Sequence, residues 1–372
     1  MAAYTTIDDP SAHFQVATYT GNGGSDRAVV NDGNSAMQPD WVWYKSRSHA
    51  TSHITYDSTR GDGPYLKPSD AGDEGSDASM FESFDSDGFS LNADTDGNGN
   101  GRTYVAWQWK ANGGTTTSVS ASGTGEASIN ASTHQVNAAA GFSIVSYTGR
   151  DDQISNGQET KLTHGLGVVP SMMICKKLNA NDDWFVLGKN ATETNNWYWS
   201  YNEFLNLNET TAVNGVNYTG NKQPDSTYIY LGNAKVNTTD NWIAYCFAEK
   251  QGYSKFGRYK GNGNASGPFV YTGFKPAFVM VKIIDTHGGS AGEWQIYDHK
   301  RPGYNFPNYN LSPNNTAVEY TGESYHNMDF LSNGFKILLT DVAVNTTGKL
   351  YGYMAFAERP FVTSTGTPTT AR

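Results

Sequence analysis

The side chains best suited to chemistry stand in short clusters. In "NNWYWSYNEF" (195–204), Trp197, Trp199 and Tyr201 alternate along one face of an extended strand, beside Asn195, Asn196, Asn202 and Glu203. Flat aromatic faces next to amides and carboxylates suit sugar rings, whose C–H faces stack while their hydroxyls hydrogen-bond. "RPGYNFPNYN" (301–310) repeats that mixture in a Pro/Asn-rich loop, with Tyr304, Phe306 and Tyr309. At both places ordinary packing between strands is the competing reading. "DTDGNGNG" (94–101) alternates Asp94, Asp96 and Asn98 as oxygen donors ahead of Gly99, which is half of a calcium loop. The twelfth place holds Val105 where such a loop needs Glu, and strands flank it, so a plain hairpin loop competes with Ca2+.

Catalytic patterns are thin. "FESFDSDGF" (81–89) gathers Glu82, Asp85 and Asp87. A glycosidase on a β-sandwich would present its two carboxylates at even spacing along one strand face, and Glu82 to Asp85 is odd. The eight histidines form no H-E-x-x-H pattern, and neither a G-x-S-x-G elbow nor a P-loop is present. The expectation is a protein that is not an enzyme and needs no cofactor, calcium aside.

The elements that must position these residues follow from composition. In 372 residues there are 40 glycines, 13% aromatics and only 17% charged residues. Tyr, Phe, Trp, Val and Thr make strands, and Gly, Asn and Asp make turns. A net charge of −10 argues against a nucleic-acid partner, which would call for a basic face. No apolar run approaches the ~18 residues that span a membrane, and "MAAYTTIDDP" lacks the features of a signal peptide. Cys175 and Cys246 sit in apolar runs and read as small buried residues rather than a disulfide framework.

Internal repetition organises the chain. "FQVATYTGNG" (14–23), "FSIVSYTGRD" (142–151) and "YSKFGRYKGNG" (253–263) open three copies. Each continues with a Pro-led apolar run ending in lysine: "PDWVWYK" (39–45), "PSMMICK" (170–176) and "PAFVMVK" (276–282). Then come "HITYD" (53–57), "WFVLG" (184–188) and "WQIYD" (294–298), and the copies close with "YVAWQWKA", "WIAYCFAE" and "YGYMAFAE". A Gly-Phe strand start, "SDGFSL" (86–91) and "SNGFKI" (332–337), is evident in the outer copies, and its place in the middle copy is not.

The Pro-led run is apolar on both faces in every copy, which predicts a central strand covered on both sides rather than a sugar platform on Trp41 or Trp43. Lys45, Lys176 and Lys282, at its end, are expected to reach solvent. The boundaries are an arm at 1–13, a module at 14–111, a Ser/Thr/Gly/Ala-rich linker at 112–140, modules at 141–252 and 253–362, and a polar, frayed tail at 363–372. With no linker between the second and third modules, those two are expected to pack as a rigid pair, with the first hung more independently. Short strands punctuated by turn residues predict an all-β chain of three tandem antiparallel β-sandwich modules, of jelly-roll type.

The long motifs "FQVATYTGNG…PDWVWYKSR…YDSTRG…SDGFSL…TYVAWQWKA" and "GYSKFGRYKGNGNASGPFVYTGFKPAFVMVKIID…YDHKRP…MDFLSNGFKI…YMAFAERPF" resemble a repeated module of virion structural proteins from marine tailed phages. The resemblance covers all three modules. It implies a concanavalin-like β-sandwich and a place on the phage particle, in a tail fibre or similar appendage. Other virion proteins and a host cell-surface glycan are the partners it implies, with a homo-oligomer as the usual state. The chain lacks a fibrous shaft, which keeps capsid decoration open beside the appendage. A depolymerase acting through Glu82, Asp85 or Glu203 is the third reading.

Overall fold

A computed structural model of the chain describes residues 3–120, 132–150, 160–188, 204–211, 223–232, 234–285, 292–302, 308–321 and 327–369. The architecture is all-β, as composition and turn spacing predict, and among the described residues helix occurs only as single turns between strands.

Each module is built on one antiparallel sheet with a shared strand order. In the first module, Phe14–Thr20 pairs with Thr103–Trp109, which pairs with Trp41–Ser46, then Ile54–Asp57. The second runs Phe142–Thr148, Asn241–Phe247, Met172–Lys177, Phe185–Gly188, and the third Ser254–Lys260, Leu350–Pro360, Phe274–Ile283, Gln295–Asp298. A smaller sheet covers one face. It consists of Arg27–Val30, Gly88–Leu91 and Phe81–Asp85 in the first module and Phe269–Tyr271, Gly334–Ile337 and Met328–Leu331 in the third. In the second, Thr160–Thr163 pairs with Tyr228–Leu231, so "TYIYL" fills the place of the Gly-Phe strand that the sequence leaves unassigned.

The Pro-led strand shows why both its faces are apolar. Val42 and Tyr44 point into the first module's own core, with Tyr19, Ile54, Tyr56, Phe89 and Tyr104. Trp41 and Trp43 point the other way, into a core shared by all three modules. There Trp41 stacks on Trp109 at 4.5 Å and on Tyr245 of the second module at 4.2 Å. Phe14 stacks on Phe356 of the third module at 5.0 Å, and Phe247 meets Phe356 at 5.9 Å. The large sheets thus have two buried faces: one closes a sandwich, and the other closes a ring of three sandwiches around an aromatic centre.

Four expectations need correction. The first module is not independently hung, because its tryptophans form the middle of the shared core. The segment 112–140 is not simply a linker. Ser132–Asn137 pairs with Phe142–Thr148 through six residues, and Thr117–Val119 adds a further strand. Small polar residues suffice there because Gln135, fully buried, donates to Ser58 and Thr59 and accepts from the Gly114 amide. The arm is also docked: Ile7 enters the shared core, Tyr4 Oη donates to the Gly273 carbonyl and Thr5 Oγ1 to that of Gln251. The described part of the tail is held as well, with Ser364 N donating to Asp8 at 2.6 Å. Arm and tail together strap the third module to the first. The fourth correction concerns the lysines.

Candidate functional site

Lys45, Lys176 and Lys282 do not reach solvent: all three are fully buried where one module meets the next. Their ammonium groups are satisfied by backbone carbonyls, which is what a cation excluded from water requires. Lys176 Nζ donates to Asp182 O at 2.8 Å and, across the seam, to Ala71 O of the first module at 3.3 Å. Lys282 Nζ donates to Gly292 O and, across the seam, to Thr210 O of the second module at 2.7 Å. Lys45 Nζ donates to Ser46 O and His49 O. Burial lowers Lys45 and Lys176 to about 8 and Lys282 to about 7, against the partial support of nearby carboxylates.

A second set of contacts repeats around the ring. Trp184 and Trp294 hold the same place in their modules, and each donates its indole N–H backwards, to Lys67 O and Asn206 O respectively, at 2.9 Å. His53 holds that place in the first module, between Trp43 and Trp107, where it accepts from Trp43 Nε1 at 3.0 Å. The second module therefore leans on the first and the third on the second. The third closes on the first: Glu319 N donates to Arg47 O at 2.9 Å, and Arg47 pairs with the Glu319 carboxylate at 2.9 Å. Head-to-tail contacts of this kind close when the rotation per unit is a third of a turn.

The seams also differ beside the shared core. At the first, Asp57 accepts from Tyr245 Oη of the second module at 2.7 Å and from Arg60 Nε at 2.6 Å. Arg60 also reaches Glu74 at 2.8 Å. At the third seam the arrangement recurs: Asp298 accepts from Trp107 Nε1 of the first module at 3.0 Å and from Arg301 Nε at 2.6 Å. Arg301 continues to Glu319 at 3.2 Å. Burial opposes the Asp298 charge, but Arg301 outweighs it and holds the carboxyl below the ordinary range.

The second seam has neither acid nor base here. Gly188 stands where the others have Asp57 and Asp298, and Met354 where they have Tyr245 and Trp107. Gly352 replaces Val105 and Ile243 two residues earlier. The missing bulk leaves a cavity of about 40 Å³ walled by Met172, Val186, Leu205, Phe256, Ile284 and Met354, and Lys282 lines it too. A second, polar cleft of about 170 Å³ lies between the first and third modules, bordered by Asp32, His299, Lys300 and Glu358. Lys300 and Asp32 already pair across it at 2.7 Å.

The residues singled out in the sequence are spread apart. Trp197, Trp199, Tyr201, Tyr304, Phe306 and Glu203 lie outside the described residues. Tyr309 is half-buried at the third seam, its ring 6.0 Å from the Arg47 guanidinium. Asp94 caps a single helical turn, Thr95–Asn98, by accepting from Asp96 N. Asn98 is turned inward: its Oδ1 accepts from Asn22 N, and its Nδ2 donates to Gly24 O and Asn92 O. Asn237 and Asn345 make the matching bond to Arg150 N and Asn262 N, so Asn98 belongs to a loop clamp repeated in every module. Of the acid cluster, Glu82 accepts from Asn92, Asp85 bridges Ser83 and Ser90, and Asp87 accepts from Met37 N. These three carboxylates serve three separate loop contacts. Cys175 and Cys246 are free thiols in the second module's own core, where burial pushes Cys246 up to about 12.

Sequence reasoning missed the Asp-x-x-Arg clamps, although "YDSTR" and "YDHKR" were in view. The pairing partner is in another module, and only the three-dimensional closure gives the motif its role.

No curated protein and no solved structure matches the chain. One family profile does, over residues 9–360, which takes in all three modules and every seam as one unit. The chain is therefore a member of the family described as domain of unknown function DUF7483.

Proposed function

We propose that this chain is a non-enzymatic structural protein of a tailed-phage particle, an appendage that meets host surface glycan. In this reading one chain does the work of a homotrimer. The observation that supports it is ring closure: three copies of one module share an aromatic core in a single body. Weak contacts to a repeating glycan reinforce one another when their binding units are fixed at matching spacing. The depolymerase reading has less support, because Glu82 and Asp85 are engaged in separate loop contacts. Gold-labelled antibody on purified particles tests the assignment. Label at the tail supports it, and absence of label from the particle contradicts it. Glycan-array binding by the purified chain, lost on Trp197→Ala or Trp199→Ala, tests the glycan.

Capsid decoration through protein contacts alone is the second reading. It is favoured by the Phe269–Tyr271 edge strand, whose Phe269 and Tyr271 are 47% and 53% exposed. Label over the head in the same experiment would select it.

A further inference from the structure

Lys45, Lys176 and Lys282 share a position in the repeat and a pattern of two carbonyl acceptors, yet their surroundings differ. At the first and third seams, buried Asp-Arg clamps fill the space that glycine and methionine leave open at the second. Lys282 lines that opening.

A neutral lysine amine has two N–H donors and one lone pair. With the donors directed to Thr210 O and Gly292 O, the lone pair takes the remaining tetrahedral direction. We propose that Lys282 is a reactive amine and that the cavity beside it takes a short aliphatic aldehyde, bound as a reversible imine. Burial lowers Lys282 to about 7, so that a large share of the amine is neutral at neutral pH, the condition for nucleophilic attack.

In the step itself the nitrogen lone pair adds to the carbonyl carbon. A proton passes from nitrogen to oxygen to give a carbinolamine, and loss of water leaves the C=N bond. No oxidant or reductant is needed, and water reverses the reaction. The walls set the ligand class: Met172, Val186, Leu205, Phe256, Ile284 and Met354 favour a hydrocarbon chain over a sugar. A cavity of about 40 Å³ admits the carbonyl and the first carbons, while a longer tail would leave through the mouth.

The test is brief treatment of the intact chain with propanal and cyanoborohydride at neutral pH, which reduces the imine to a stable secondary amine, followed by peptide mass mapping. Lys282 should be alkylated at least about fivefold faster than Lys45 and Lys176, the matched buried controls, in line with its larger neutral fraction at pH 7. Strand alternation puts position 188 on the same face as Val186, toward the cavity, and a Cβ there meets only ordinary contacts, Met172 Cε at 3.5 Å being nearest. Gly188→Val should therefore abolish the Lys282 adduct while leaving the circular dichroism spectrum unchanged, and Gly188→Ala should slow it. Lys282 alkylation no faster than that of Lys45 and Lys176, or undiminished in a folded Gly188→Val protein, would overturn the proposal.

Discussion

The first and third seams of the ring close on a buried carboxylate, while the second closes on glycine and methionine. Asp57 and Asp298 each gather an arginine from their own module and a ring donor from the next, so their charge is satisfied from both sides. At the second seam Gly188 removes the acid and Met354 the ring donor, and the seam is left with apolar contact, Lys282 and the Trp294 bond. One backbone plan thus tolerates two chemistries. A buried ion pair orients its partners strongly but is costly to disturb, whereas apolar contact is forgiving and leaves room.

That contrast can be broken most severely at the charged seams. Asp298→Asn leaves Arg301 buried without its main partner and should cost about 3–5 kcal/mol in urea unfolding. Trp41→Ala, which empties the shared core on the charged side of the ring, should cost a similar ~3–5 kcal/mol. Tyr245→Phe removes one hydrogen bond to Asp57 and keeps Arg60 in place, so a loss of about 1–3 kcal/mol is expected. At the second seam the sign should reverse: Gly188→Val fills space and should stabilise the protein by about 0.5–2 kcal/mol. Equal losses from changes at all three seams would show that the charged clamps carry no special weight.

A further effect is a matter of pH. Burial brings the seam lysines to about 7–8 in the folded protein, against their ordinary 10.5 when unfolded. Between those values the unfolded chain binds more protons, so stability is lost progressively as pH falls from 10.5 toward 7 and the loss levels off below that. Burial raises the phenols of Tyr19, Tyr44 and Tyr245 well above their ordinary 10.0, so ionisation in the unfolded chain opposes folding above pH 10. His53, held by burial well below 6.5, adds a loss as pH drops through that value. Unfolding midpoints should therefore rise from pH 7 toward pH 10 and fall above pH 10 and below about pH 6.5. Replacing Lys282 by Met should flatten the alkaline rise.

Much of this fold was legible before any coordinates. The alternation of Trp41 and Trp43 with Val42 and Tyr44 marked a strand covered on both sides, and its three copies kept bulk while changing chemistry. What covers the second face was not legible, because the covering surface is another copy of the same face and nothing local distinguishes it from a sheet or a helix. The lysines carried a usable sign: they keep their chemistry in all three copies while the residues before them do not. Reading them as exposed followed the general habit of lysine at a strand end and ignored that internal constancy. The connector misled for a different reason. Ser132 and Gln135 are buried by hydrogen bonding rather than by apolar bulk, and composition registers only the latter. Among the candidate site residues, Asn98 shows the same limit: its spacing suggested a ligand, whereas its amide holds a turn that recurs at Asn237 and Asn345.

The central claim is that a shared core makes three modules one cooperative body. Differential scanning calorimetry of the intact chain and of Asp298→Asn tests it most directly. A single transition in both, moved as a whole to lower temperature by a change at the third seam, is the predicted result. A transition that splits, with the second module melting where it did before while the first and third melt earlier, would contradict it.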